Sequence, residues 1–195
     1  GNQGKLGGLS NKAQEVGDVL AASGKDIIIF ETVGVGQAEH DIISAADLSI
    51  VVLVPESGDE VQLMKAGIIE IGDIFVINKS DRKGANKLAS KLKNILHFFN
   101  KKNMNEPEVY NTCATEGKGI VELYLGIQNC IKIMKENNTL KFRKIKRYEK
   151  RITEIVNESL IKSFWSDKRK LLLEELINLS NLDLLSPEKI AKKIT

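Results

Sequence analysis

Three polar segments that each directly follow an apolar run carry residue types suited to nucleotide chemistry. E-T-V-G-V-G-Q follows DIIIF and begins at Glu31, N-K-S-D follows DIFVI, and T-C-A-T follows EVYN. In doubly wound α/β sheets, ligands bind beyond the carboxyl ends of the strands, so these positions are where a site is expected. The sequence therefore predicts one site assembled from several consecutive strand ends.

The first of these segments suits the phosphate end of a nucleotide. A carboxylate such as Glu31 at a strand tip can hold Mg²⁺ directly or through water. A glycine lets a backbone N–H approach a phosphate oxygen, and a nearby glutamine could orient an attacking water. The alternative reading is a tight glycine-rich turn with no ligand.

The second and third segments suit a guanine base. Asp81 can accept hydrogen bonds from the N1–H and N2–H₂ edge of guanine, a pattern that adenine does not offer, and such charge-assisted bonds contribute roughly 1.5 to 3 kcal/mol each. The Lys79 stem can lie over the base plane, while Asn78 can brace the loop. In the third segment, the backbone N–H of Ala114 would face guanine O6. A simple polar turn is the alternative for N-K-S-D.

The elements that must position these residues alternate along the chain. Continuous apolar, β-branched runs predict parallel strands covered on both faces at 26–31, 49–54 and 73–78, and a short run follows at 108–113. Helical spacing of apolar residues predicts helices that begin near Ser10 and extend over 58–71, 84–99 and 119–135. This alternation predicts an α/β fold with a mostly parallel sheet.

The strand pattern stops near residue 138, and the rest of the chain has a helical pattern. We therefore expect a nucleotide domain at 1–138 and a helical segment at 139–195, with Ser186 capping a last helix at Pro187. The run KFRKIKRYEKR could bind nucleic acid or a membrane surface. Its helix also carries an apolar stripe, so a solvated or partner-facing helix is favoured, with neither nucleic acid nor membrane as partner.

Composition is that of an ordinary globular protein: 195 residues, 42% hydrophobic, with a net charge of +3 from 29 basic and 26 acidic residues. No apolar run is long enough to cross a bilayer. The two cysteines suggest a reducing compartment, so we expect a cytoplasmic protein. Neither of the two histidines has zinc-type neighbours, which favours structural roles for both.

Three stretches together resemble the MeaB/ArgK family of P-loop GTPases: ETVGVGQAEHDI, VPESGDEVQLMKAGIIEIGDIFVINKSD and TCATEGKGI. The resemblance implies a three-layer P-loop NTPase domain that binds GTP or GDP with Mg²⁺ and hydrolyses GTP. It also implies a chaperone of adenosylcobalamin-dependent methylmalonyl-CoA mutase or a related mutase, and a homodimer joined partly through C-terminal helices.

The same resemblance assigns roles to individual residues. Catalytic roles fall to Glu31, which would also hold Mg²⁺, to Gly34 near the γ-phosphate, and to Gln37 in the mobile switch. The guanine-binding residues would be Asn78, Lys79, Asp81, Thr112, Cys113 and Ala114. The stretch P-E-S-G-D-E-V-Q resembles a family motif, but a helix-entry turn with Ser57, Gly58 and Asp59 as capping residues is the favoured explanation.

One family motif does not occur: the sequence has no G-x-x-x-x-G-K-S/T, the phosphate loop, which the resemblance implies lies upstream of Gly1. We therefore expect a fragment that by itself binds GTP weakly and has no useful GTPase rate. Two alternatives stay open: an interaction module without catalysis, and an ATPase or kinase linked to lysine, arginine and ornithine transport.

Overall fold

The structure is a computed structural model, and it describes residues 11–31, 45–55, 68–99, 106–179 and 186–195. The elements in chain order are α1 (Asn11–Ala22), β1 (Ile50–Leu53), α2 (Ile68–Ile71), β2 (Ile74–Ile77), α3 (Ala85–Phe99), β3 (Glu108–Asn111), α4 (Ile120–Glu136), α5 (Thr139–Phe164), α6 (Asp167–Leu179) and α7 (Pro187–Ile194). Within the described residues, strands and helices alternate up to α4 and only helices follow, as the sequence predicts.

The described strands form one parallel sheet in the order β1-β2-β3. Ile50 pairs with Ile74, which in turn pairs with Glu108, so the three strands start and end in step. Because parallel strands in chain order need a crossover after each strand, the loops at their carboxyl ends lie along one edge of the sheet. The prediction of a parallel α/β sheet is confirmed for these strands.

Helix α3 covers one face of the sheet and forms the main core with it. Its side chains Ala85, Leu88, Ala89, Leu92 and Leu96 recur at helical spacing, and all are buried together with Leu53, Phe75 and Ile77. Full burial of a Leu, Ile or Phe side chain stabilises the fold by about 1.5 to 3 kcal/mol. This face of the sheet is therefore well packed among the described residues.

Helix α4 packs against β3. The contact is close because a Cβ at Gly126 of this helix would overlap the Tyr110 side chain. Ile74 and Val76 of the central strand are fully buried, whereas Val52 of β1 is 58% exposed. The expectation that every strand is covered on both faces is thus confirmed for β2 and wrong for β1.

The predicted strand at 26–31 is absent. Residues 26–31 follow α1 without forming a ladder with any described strand, and Ile27 and Ile29 are 73% and 84% exposed. Phe30 instead packs closely on Gly17 of α1. A β-strand exists only through hydrogen bonds to a neighbouring strand, so an apolar β-branched composition is not sufficient for one.

The beginning of α5 is tied to the amino end of the sheet by an ion pair. Both guanidinium nitrogens of Arg143 donate to the Asp73 carboxylate at 2.7 Å, and one also donates to the Asp47 carbonyl at 3.0 Å. The Ser49 backbone N–H and hydroxyl donate to the same carboxylate at 2.8 and 2.9 Å. This carboxylate therefore joins β1, β2 and α5.

The chain divides into two compact units, residues 1–146 and 147–195. The second unit contains most of α5, then α6 and α7, and the last two contact each other. At the α5–α6 turn, Phe164 and Trp165 stack edge to face at 5.3 Å, and the Arg169 guanidinium lies 4.4 Å from the Phe164 ring centre. Helix α7 begins at Pro187 after the N-cap Ser186, as predicted.

Candidate functional site

The loops that follow β2 and β3 are joined by backbone hydrogen bonds at the carboxyl edge of the sheet. The Thr112 N–H donates to the Ile77 carbonyl, and the Ser80 N–H donates to the Thr112 carbonyl, both at 2.9 Å. The Asn78 N–H donates to the Leu53 carbonyl at the end of β1. The N-K-S-D and T-C-A-T segments, 34 residues apart in sequence, are neighbours because of these bonds.

Asn78 holds the two loops together through its side chain. Its Oδ1 accepts from the Thr112 hydroxyl and from the Ala114 backbone N–H, both at 3.2 Å. Thr112 is buried, so its hydroxyl needs this acceptor. The Ala114 N–H predicted to face guanine O6 is thus bonded to Asn78 in the ligand-free chain, and a base oxygen would have to share or replace that bond.

A tight turn begins at Lys79, just after the end of β2. Lys79 has a φ of 55°, in the left-handed region that costs a non-glycine residue roughly 1 kcal/mol or more. The Arg82 N–H donates to the Lys79 carbonyl at 3.0 Å and closes the turn. The Lys79 side chain is exposed, so its aliphatic stem is accessible to a flat ligand.

Asp81 is an exposed carboxylate beside the second loop. The Cys113 thiol is the main cause that lowers the pKa of Asp81, followed by its own backbone N–H and by the charges of Arg82 and Lys118. Asp81 is therefore ionised at neutral pH and ready to accept hydrogen bonds. Cys113 itself is buried, and its sulfur lies 3.5 Å from the Thr115 hydroxyl.

The second loop is closed on itself by a short antiparallel bridge. The Cys113 N–H donates to the Lys118 carbonyl at 3.0 Å. Gly119 follows with a φ of 73°, and a Cβ there would overlap the Asn111 carbonyl oxygen. Only glycine fits that close approach, which fixes the loop against the end of β3.

The phosphate end of the predicted site is described only at Glu31. Its side chain is exposed and borders an apolar groove against α1. Gly34, Gln37 and the 57–60 segment lie outside the described residues. The structure thus joins the predicted guanine residues to one another, and their relation to the predicted catalytic residues stays a prediction.

Sequence reasoning missed two charged pairs near these loops. Arg143 and Asp73 are 70 residues apart, and no motif connects them. Lys118 and Glu116 form an ion pair at 2.6 Å within the T-C-A-T-E-G-K-G stretch. The second pair could have been predicted from the sequence, because Glu116 and Lys118 are separated by a single glycine.

The described residues also limit which other site types they could form. No cluster of three or more His, Cys, Asp or Glu side chains could hold a metal ion within the described ranges. No helix in the same ranges combines the length and the apolar character that crossing a membrane requires.

Comparison with known proteins decides the family. The family model described as methylmalonyl Co-A mutase-associated GTPase MeaB matches residues 1–169. This chain belongs to the MeaB family. The resemblance in the sequence motifs is thereby confirmed.

Individual MeaB relatives agree with this assignment. A Pyrococcus abyssi protein named as a candidate GTPase is 42% identical over 158 residues, which cover 80% of this chain and 49% of that protein. GTPase ArgK of Escherichia coli is 35% identical over 130 residues, 65% of this chain and 39% of its own length. The mouse methylmalonic aciduria type A homolog, mitochondrial, is 35% identical over 125 residues, covering 62% and 30%. The chain spans at most about half the length of these curated relatives.

Proposed function

We propose that this chain is the guanine-recognising part of a Mg²⁺-dependent GTPase that assists adenosylcobalamin loading of methylmalonyl-CoA mutase or a related mutase. Asp81 would bind the N1 and N2 edge of the base, Lys79 would cover its face, and Asn78 would hold Thr112, Cys113 and Ala114 around it. The division of roles would be nucleotide binding by residues 1–138 and dimerisation by residues 139–195.

One observation carries the proposal: the two loops that contain these residues are bonded through Asn78 Oδ1, with the ionised Asp81 beside them. An aspartate in that position accepts two donors from guanine and would meet only one donor and one lone pair on adenine. The arrangement therefore favours guanine over adenine. It thus favours a GTPase over the ATPase or kinase alternative.

Mg²⁺ would involve Glu31, with Gly34 and Gln37 beside the γ-phosphate. Mg²⁺ is held by one or two carboxylates, waters and substrate phosphates, so a single exposed carboxylate at Glu31 is compatible with it. The metal would neutralise charge on the phosphates.

A cytoplasmic homodimer is part of the proposal, supported by an apolar stripe on α5. Ile145, Tyr148, Ile152 and Ile155 recur every three or four residues and are each about half exposed or more. Such spacing places them on one face of the helix. The measurement is sedimentation equilibrium, in which a concentration-dependent dimer that Ile152→Lys converts to monomer is expected.

A second candidate function is an interaction module that binds its partner without catalysis. The same exposed stripe supports it, because the stripe needs no nucleotide to bind another helix. The two candidates differ in whether GTP changes capture of a purified cobalamin-dependent mutase by this chain. Nucleotide-independent capture would favour the module.

The guanine assignment is tested by changing Asp81 alone. NMR amide shifts of the chain are followed during titration with GDP, ADP and XDP. The wild type is expected to prefer GDP over ADP by about tenfold or more, since each bond to the carboxylate is worth about 1.5 to 3 kcal/mol. Asp81→Asn should move the preference toward XDP.

The control is Asp167→Asn, which neutralises another exposed acid far along the sequence and should leave all three affinities unchanged. Equal response of the wild type to GDP and ADP would contradict the guanine assignment. Unchanged preference in Asp81→Asn would contradict the role of Asp81 in it.

A further inference from the structure

The ion pair between Glu116 and Lys118 lies next to the proposed base site, and no role has been given to it. The Lys118 ammonium is 2.6 Å from the Glu116 carboxylate, and the Lys118 side chain is largely exposed. Among the described residues it forms its ion pair with Glu116 and not with Asp81. Both members of the pair are on the loop that also contains Ala114.

Backbone geometry fixes where the Lys118 side chain starts. The antiparallel bridge makes Cys113 and Lys118 direct opposites, and opposite residues of such a bridge have neighbouring Cβ atoms. Cys113 is also the main cause that lowers the pKa of Asp81. The bridge therefore places Lys118 directly opposite a residue that acts on the carboxylate proposed to bind guanine.

The charges of Lys118 and Asp81 each shift the pKa of the other group, in agreement with this placement. The Lys118 charge helps to lower the pKa of Asp81, and the Asp81 charge helps to raise the pKa of Lys118, for which Glu116 is the main cause. Arg82 is the other cation that acts on Asp81. The carboxylates of Glu116 and Asp81 both act on the Lys118 ammonium. In the structure the ammonium pairs with Glu116.

We propose that Glu116 is a positioning residue of the base site, which holds the Lys118 ammonium away from Asp81 so that the Asp81 carboxylate stays open to a guanine base. Without Glu116, the lysine pairs with Asp81 and competes with the base for it. The inference rests on the guanine-binding role proposed above and adds a specificity-controlling pair to that site.

The size of the effect follows from the exposure of the groups. An exposed ion pair is weak, so competition by Lys118 should reduce guanine nucleotide affinity by about two- to fivefold. Because salt screens exposed charges, the reduction should vanish near about 1 M NaCl, where the screening length is about 3 Å. A loss that persists at high salt would overturn the electrostatic account.

The experiment compares the wild-type chain with Glu116→Gln, with Lys118→Met and with the double variant. In the ligand-free state, carbon-detected NMR measures the titration of the Asp81 carboxyl. Glu116→Gln is expected to lower the pKa of Asp81 further, because the freed ammonium moves onto it, and Lys118→Met in the same chain should reverse that change. Asp167→Asn is the matched control and should leave it unchanged.

GDP titrations then measure the competition. Glu116→Gln should bind GDP about two- to fivefold more weakly than the wild type at low salt, and the double variant should regain wild-type affinity. An Asp81 titration that Glu116→Gln does not alter would overturn the proposal without any nucleotide. Equal GDP affinity in the wild type and Glu116→Gln would overturn the competition.

Failure of the proposed function gives a different result. If Asp81 responds to Glu116→Gln as expected while the wild type binds GDP and ADP equally, the Lys118 transfer is supported and guanine recognition is not. The ligand-free and nucleotide measurements therefore separate the two claims.

Discussion

Residues 73–78 and 26–31 begin with the same residues, Asp-Ile, and have nearly the same composition, yet they have opposite structures. DIFVIN contains the central strand, in which every side chain of 74–77 is buried. DIIIFE has no strand, and its first and third isoleucines are largely exposed. By residue type alone, both segments are equally expected to form a strand.

The difference shows that neighbours, not composition, decide which apolar run becomes a strand. Residues 74–77 have β1 on one side, β3 on the other, and buried side chains on both faces. Residues 26–31 pair with none of the described strands, and Phe30 packs on Gly17 of α1. Position-by-position substitutions in the two segments test this difference.

The largest contrast is expected at the first isoleucine of each segment. Ile74→Ala should lower the free energy of unfolding by about 2 to 5 kcal/mol, because it leaves a cavity at a side chain only 2% exposed. Ile27→Ala, at a side chain 73% exposed, should change it by no more than about 0.5 kcal/mol. Urea unfolding measures both. Equal losses would mean that 26–31 is as well packed as the central strand.

A smaller contrast is expected at the aspartate that precedes each isoleucine. Asp73→Ala removes the acceptor of Arg143 and Ser49, and the half-buried guanidinium is left unpaired. We expect a loss of about 2 to 4 kcal/mol, less than for a fully buried pair because the side chains remain 16% and 24% exposed. Asp26→Ala, at an exposed position, should be neutral within about 0.5 kcal/mol.

The control for Asp73→Ala is Arg143→Met, measured by the same urea unfolding. If the ion pair is the cause, the double variant Asp73→Ala with Arg143→Met should be less destabilised than the sum of the two single changes. Strict additivity would contradict a direct coupling.

The smallest contrast is expected at the last residue of each segment. Asn78→Ala removes the oxygen that accepts from Thr112 and Ala114, and should cost about 1 to 3 kcal/mol. Amide hydrogen exchange should also become faster in the 112–119 loop. Glu31→Ala, at an exposed side chain, should alter neither stability nor exchange. A rigid 112–119 loop in Asn78→Ala would show that Asn78 is not the brace.

Much of the fold could be predicted from local pattern. The apolar spacing of 85–96 places α3 correctly, because one buried stripe against a sheet is a strong periodic signal. Asn78 was predicted as a brace from its place after a strand, and the structure gives it two loop partners. Three of the parts that failed or were missed are long-range: the 26–31 segment, the Arg143–Asp73 pair, and the exposed face of β1. The missed Glu116–Lys118 pair is local, between exposed side chains.

The sequence by itself determined the family, the order of helices and strands, and the residue types available at the ends of β2 and β3, because motifs and periodicity are local properties. Only the tertiary structure decided that Asn78 bonds both loops, that Asp73 joins two strands to α5, and that 26–31 pairs with none of the described strands. These depend on which distant groups meet, since hydrogen bonds and burial need a partner that residue types do not specify.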